Sequence, residues 1–133
     1  IVEGESQRFA LVDHGTPIRP VNRLRDVVAA QVGQILGVSV QPCSMERREG
    51  PEYAFNDPLL ENLGEVSGIS GECLILAMFF LLPGRHAGPS GDVAEIVDGL
   101  IDGRAFERVE VTPLLGEDPL LIDILQERLA EVV

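Results

Sequence analysis

The amino-acid sequence predicts an α/β domain: a four-stranded parallel sheet with helices on both faces. Three observations predict it. Four short apolar runs of strand length alternate with segments whose apolar residues recur every three or four positions, in the order βαβαβαβα. The intervening segments have ordinary crossover-helix length, which suits parallel pairing. The chain has 133 residues, 45% of them apolar, enough for one core and not for two. Residues 1–133 therefore read as a single domain, without repeat, internal linker or low-complexity tract.

The elements follow in order. Phe9-Ala10-Leu11-Val12 is a continuous apolar run, the pattern of a strand buried on both faces, and it stops at Asp13-His14-Gly15-Thr16-Pro17. Val21, Leu24, Val28, Val32 and Ile35 then mark the inward stripe of an amphipathic helix. Pro20 suits its first turn and Gly37 its end. Val38 to Gln41 is a second strand, closed by Pro42. After the polar loop Cys43 to Phe55, Asn56-Asp57-Pro58 reads as a helix start with Leu59, Leu60, Leu63 and Val66 inward. Leu74 to Leu82 is the most hydrophobic segment and should be the central strand. The Gly/Pro loop Pro83 to Gly91 leads to a helix opened by Asp92, with Glu95 three residues on in a capping-box arrangement. Its stripe is Val93, Ile96, Val97, Leu100 and Ile101, and Gly103 ends it. Phe106 to Val111 is the fourth strand. Asp118-Pro119 opens a last helix with Leu121, Ile124, Leu125, Leu129 and Val132 inward.

Charge and composition exclude several classes. Net charge is −12 and mean hydropathy +0.17, so nucleic acid and anionic membrane are poor partners for want of a basic footprint. No apolar run reaches the length of a membrane span. The opening Ile1-Val2-Glu3-Gly4-Glu5 has neither the basic start nor the apolar stretch of a signal peptide. A first residue other than Met suggests an excised domain or a trimmed chain. All ten cations are Arg, which removes the P-loop, Schiff-base and general-base lysine chemistries. Cys43 and Cys73 form no CxxC pair and read as buried reduced thiols of a cytoplasmic protein. The six aromatics, none of them Trp, supply few stacking platforms for single-stranded nucleic acid.

Ligands of open α/β sheets bind beyond the carboxyl ends of the strands. The residues placed there are His14-Gly15-Thr16, then Ser44-Met45-Glu46-Arg47-Arg48, then Pro83-Gly84-Arg85-His86, then Gly116-Glu117-Asp118. Both histidines thus fall on one edge with a carboxylate between them, a His/Glu/His set that suits Fe, Co, Ni and Zn alike. Each histidine alone reads more readily as a structural residue than as a ligand. A Ser/His/Asp hydrolase lacks its GxSxG elbow, since Gly68-Ile69-Ser70-Gly71 precedes a strand, and GxGxxG is absent. Gly15 and Gly84 read either as turns or as points where a ligand approaches the backbone. Arg19, Arg23, Arg47, Arg48 and Arg85 lie near these loops and would suit a polycarboxylate, or pair with the 22 acids.

Leu11-Val12-Asp13-His14-Gly15-Thr16, Cys43-Ser44-Met45-Glu46, Phe79-Phe80-Leu81-Leu82-Pro83-Gly84-Arg85-His86 and the tail Thr112-Pro113-Leu114-Leu115-Gly116-Glu117-Asp118-Pro119-Leu120-Leu121 together resemble the short class II chelatases, the sirohydrochlorin cobalto- and ferrochelatases of the CbiX/SirB type. The resemblance runs from about Phe9 to Leu129. It implies a chelatase-like half unit that inserts Co²⁺ or Fe²⁺ into sirohydrochlorin, a polycarboxylate tetrapyrrole of cobalamin and siroheme biosynthesis, without ATP and with no tightly bound cofactor. It implies His14 and His86 as metal ligands and proton acceptors, and Glu46 as a third ligand. Gly15, Thr16, Ser44, Met45, Arg47, Gly84 and Arg85 would contact the substrate. A half-size domain has few walls for a macrocycle, so a homodimer, or pairing with a second chelatase domain, is expected. The family's His-Gly-Ser is His-Gly-Thr here, and Ala87-Gly88-Pro89-Ser90-Gly91 is an insertion before the acidic helix start. A metal carrier of the same fold and a nickel chelatase are the competing readings.

Overall fold

The computed structural model describes residues 5–88 and 91–133. Ile1 to Gly4 of the opening segment, and Pro89 and Ser90 of the Ala87–Gly91 insertion, lie outside the described residues. Four parallel strands, β1 (Gln7–Asp13), β2 (Val40–Ser44), β3 (Gly71–Met78) and β4 (Phe106–Val111), form one sheet in the order β2-β1-β3-β4. Helix α1 (Arg19–Leu36) lies against β1 and β2 on one face, and α2 (Asp92–Asp102) packs on the other. Helix α3 (Leu120–Ala130) ends the chain. Among the described residues no helix is long and apolar enough to cross a membrane.

The main core lies between the sheet and α2. Val12, Cys43, Leu74 and Leu76 meet Val93, Val97, Leu100 and Phe106 there. Each fully buried Leu or Val is worth about 1.5–3 kcal/mol relative to exposure. The α2 stripe is as expected, with Val93, Val97 and Leu100 buried and Gly103 at the C-cap. The β3 run is shorter than its hydrophobicity suggests. Its pairing with β1 ends at Val12 and Met78, one residue before β1 itself ends at Asp13, and Leu81 and Leu82 beyond it are exposed.

Three elements depart from expectation. The second helix is instead a pair of 3-10 helices, Pro51–Asn56 and Leu60–Glu65, with Leu60 and Leu63 still buried. Gly64 breaks the α pattern, and its missing Cβ is what lets this turn sit against Ala105. In α1, Pro20 and Gly37 sit at the expected ends, but the buried line is Asn22, Arg25, Ala29 and Gly33. The larger Val21, Leu24 and Ile35 point outward. Polar partners explain the inner line at its start, where Asn22 donates to Asn56 and Arg25 to Ser44 and Asn56, and at its end Gly33 packs against the turn into β2, where a Cβ would lie 2.7 Å from the Val38 carbonyl oxygen. In α3 no residue is buried, and Ile124, Leu125, Leu129 and Val132 face outward, because the helix leaves the sheet instead of lying on it.

Candidate active site

Both histidines stand at the carboxyl edge of the two inner strands. His14 follows β1 and His86 lies in the loop between β3 and α2. Their rings meet edge to face, with centroids 4.7 Å apart and planes at 65°. His14 Nε2 is 3.0 Å from Glu46 Oε1, and His14 Nδ1 is 3.1 Å from the Gly15 carbonyl oxygen. Both neighbours are acceptors, whereas a neutral imidazole has one N–H. A second proton, or a cation between Nε2 and the Glu46 carboxylate, would satisfy both.

His86 is held differently. Its Nδ1 lies 2.6 Å from Asp92 Oδ2. An ionised carboxylate only accepts, so Nδ1 donates and a neutral ring keeps its lone pair on Nε2. Asp92 therefore does not cap its helix. The N-cap is Gly91, without a side-chain cap, and the expected capping box with Glu95 is absent because Asp92 is already the first helical residue. Its spacing six residues after His86 was the only signal in the sequence for this pair.

Gly15 has φ +98°, and a Cβ there would fall 1.9 Å from the Glu46 carbonyl oxygen. The glycine thus admits the chain's own backbone, not a ligand, and brings Glu46 alongside His14. Gly84, with φ +48° and nothing near its missing Cβ, is a turn. Thr16 is clamped through both of its backbone polar groups by the buried side-chain amide of Asn56. Its N–H donates to Asn56 Oδ1 at 3.1 Å, and Asn56 Nδ2 donates to its carbonyl at 2.9 Å.

Ser44 and Met45 do not face a substrate. They are 0% and 4% exposed, because β1–β2 pairing carries their side chains inward. Ser44 Oγ donates to Asp13 Oδ1 at 2.6 Å and accepts from the Arg25 guanidinium at 2.7 Å. Arg25 also donates to the carbonyls of Asn56 and Phe55. Buried Arg25, Ser44 and Asn56 form a polar plug under the loop that carries His14. Spacing could not reveal it, since its members come from three separate elements.

A cleft of about 380 Å³ opens over this plug, lined by His14, Gly15, Thr16, Pro17, Glu46, Arg47 and Arg48. Arg47 is already engaged, its Nε 2.9 Å from Asp57 Oδ1 and its Nη1 2.8 Å from the Gly50 carbonyl. Arg48 lies over the Tyr53 ring and Arg19 over the Phe55 ring, while Arg85 is exposed on the His86 loop. A second cavity, of about 360 Å³, lies on the α2 side among Met78, Val93, Val97, Val111 and Leu114. It is mostly apolar and holds no histidine, so the first cleft is the candidate site. Among the described residues no three His, Cys, Asp or Glu side chains close into one metal-ligand group. His14 with Glu46, and His86 with Asp92, are instead two adjacent pairs. Cys43 and Cys73 are free and buried, and burial pushes the Cys43 thiol up to about 12.

No family model and no curated protein matches this chain. Its fold matches a solved structure from Marinobacter aquaeolei VT8, of a protein named CbiX for cobalamin (vitamin B12) biosynthesis. The TM-score is 0.68 at 17% identity, over 96% of this chain and 98% of that one. The likeness is one of fold, a four-stranded parallel sheet with flanking helices.

Proposed function

We propose that the chain is a metal-inserting enzyme of the class II chelatase type, which places a divalent ion, Co²⁺ or Fe²⁺, into sirohydrochlorin. One observation carries the reading. His14 and His86, far apart in sequence, meet at 4.7 Å on the edge where α/β sheets bind ligands, each with a carboxylate on one ring nitrogen. The fold shared with a protein named for cobalamin biosynthesis and the motif resemblance point the same way.

The metal is substrate here, not resident cofactor. The His14–Glu46 pair is a site for an incoming cation, because the two acceptors facing His14 leave it short of a positive partner. Insertion also requires two pyrrole protons to leave, and an imidazole accepts protons near neutral pH. His86 suits that role: Asp92 holds its Nδ1–H, which leaves Nε2 free to take a proton. The open arrangement favours transfer over storage, since a carrier gains from a closed ligand set and a donor does not. The exposed guanidinium groups of Arg48 and Arg85 suit the carboxylates of the macrocycle. Arg47, already paired with Asp57, shapes the cleft wall.

The test is the absorbance change of sirohydrochlorin with Co²⁺, Fe²⁺ or Ni²⁺, with and without protein. Acceleration above the spontaneous rate is expected, with most of it lost in His14→Ala and in His86→Ala while the fold is retained. Glu46→Gln, which keeps shape and loses charge, is expected to slow the reaction. Binding without acceleration would make the chain a carrier. Full rates in both histidine variants would end the chelatase reading.

A further inference from the structure

The cleft over the polar plug has two walls, and one short helix is bonded to both. His14 to Pro17 form one wall and Glu46 to Arg48 the other. The 3-10 helix Pro51–Asn56 ends at Asn56, whose side chain holds the Thr16 N–H and carbonyl of the first wall. From the second wall Arg47 donates to the Gly50 carbonyl and pairs with Asp57, the residues on either side of that helix. Pro51 opens the helix with its fixed φ.

Tyr53 and Phe55 project from this helix two positions apart. With three residues per turn, two steps leave their side chains about 120° from each other, so one ring serves each wall. Each ring carries a guanidinium. Arg48 Cζ lies 5.9 Å from the Tyr53 ring centroid, and Arg19 Cζ lies 4.8 Å from that of Phe55. Arg48 ends the second wall, and Arg19 opens α1 two residues beyond Pro17 of the first. Both rings are half-buried and both arginines exposed, so the platforms are fixed while the guanidinium groups reach water.

Neither cation has a carboxylate of its own. Acids outnumber arginines 22 to ten in this chain, yet among the described residues neither Arg19 nor Arg48 forms an ion pair. Arg47 behaves differently: it pairs with Asp57, and its Nη1 also donates to the Arg48 carbonyl, which pins the Arg48 backbone. Stacking on a ring removes much of the freedom of a long side chain before any ligand arrives. It leaves the in-plane N–H groups free, and that planar fork matches a carboxylate bidentately. Cations placed on two walls suit two carboxylates on one rigid frame better than a single compact anion.

We infer that Arg19 and Arg48 form a paired carboxylate clamp: each guanidinium takes one carboxylate of the same tetrapyrrole, and together they fix how the macrocycle is turned against His14 and Glu46. One anchor would let the ring pivot, whereas two stop it. The clamp therefore selects the substrate by where its carboxylates stand on the rim, and takes no part in the choice of metal. The identity of the ligand rests on the metal-insertion reading. The clamp itself rests on the two stacked guanidinium groups, and it can be tested without metal.

The probe is a porphyrin octacarboxylate, its binding to the full chain followed by fluorescence in the absence of metal. Arg19→Gln and Arg48→Gln should each weaken binding about 10-fold or more. Arg104→Gln removes the same charge at the opposite edge of the sheet, just before β4, and should change binding by less than about 2-fold. Arg48→Lys keeps the charge but not the fork, and should recover only part of the affinity. A porphyrin with neutral side chains should bind the parent and both glutamine variants alike. In turnover the loss should appear in the KM for the tetrapyrrole and not in that for Co²⁺. Parent-like binding in both glutamine variants, an equal loss in Arg104→Gln, or no binding by the parent chain at about 100 μM would overturn the clamp, even if metal insertion is found. Binding that depends on Arg19 and Arg48 without any acceleration of metallation would uphold the clamp and leave the chain a carrier.

Discussion

Replacing Asn56 by alanine removes four hydrogen bonds together. Asn56 Oδ1 accepts from the Thr16 N–H at 3.1 Å and from Asn22 Nδ2 at 3.3 Å. Its Nδ2 donates to the Thr16 and Tyr53 carbonyls at 2.9 and 3.1 Å. At about 0.5–1.5 kcal/mol each, the four sum to roughly 2–6 kcal/mol. Thr16 and Tyr53 are only half-buried, so water can replace part of their loss, whereas Asn22, 2% exposed, keeps an unpaired amide. The expected cost is therefore about 2–4 kcal/mol, a large share of the roughly 5–15 kcal/mol that holds a domain together. Urea unfolding followed by circular dichroism measures it. With an m-value of about 2 kcal/mol/M, the midpoint should fall by roughly 1–2 M at unchanged m. Asn56→Asp, which retains both acceptor contacts and loses both donors, should fall between the parent and alanine. A loss below about 1 kcal/mol in Asn56→Ala would refute the view that this amide fastens the His14–Thr16 loop.

Two further outcomes follow from the same geometry. Gly15→Ala would combine a strained positive φ with a side chain 1.9 Å from the Glu46 carbonyl oxygen; a loss of about 2–4 kcal/mol and a melting temperature lower by roughly 8 °C or more are expected, and a shift under about 2 °C would show that the loops separate freely. Cys43 is neutral when folded up to about 12, against 9.0 for the free thiol; between these values the unfolded chain has lost a proton that the folded chain keeps, so stability should fall with rising pH by up to about 1.4 kcal/mol per unit. Burial raises the Cys73 thiol as well, so Cys43→Ala should flatten, not abolish, the slope measured by guanidinium unfolding above pH 9, and an unchanged slope would contradict the reading.

Much of the architecture was legible because local patterns report it. The four strands, the parallel order, the α2 stripe and the glycine stops of α1 and α2 depend on residues that are neighbours in the chain. The placement of both histidines on one edge followed from strand order alone. What neighbours could not reveal was which side of α1 meets the sheet. Periodicity marks an apolar stripe but not the polar partners on other elements, and Asn22 and Arg25 take the inner line of α1 because Asn56 and Ser44 stand there to bond them. The fastening of the site escaped for a related reason: Arg25, Ser44, Asn56 and Asp13 lie on different elements, and their hydrogen bonds exist only once the sheet assembles. The inward stripe assigned to α3 shows the limit most sharply. A helix's own sequence states that it has an apolar face, but whether that face is buried depends on what surface stands opposite, and here the β4–α3 connection, bonded to Phe80 and Leu81, turns the helix away from the sheet.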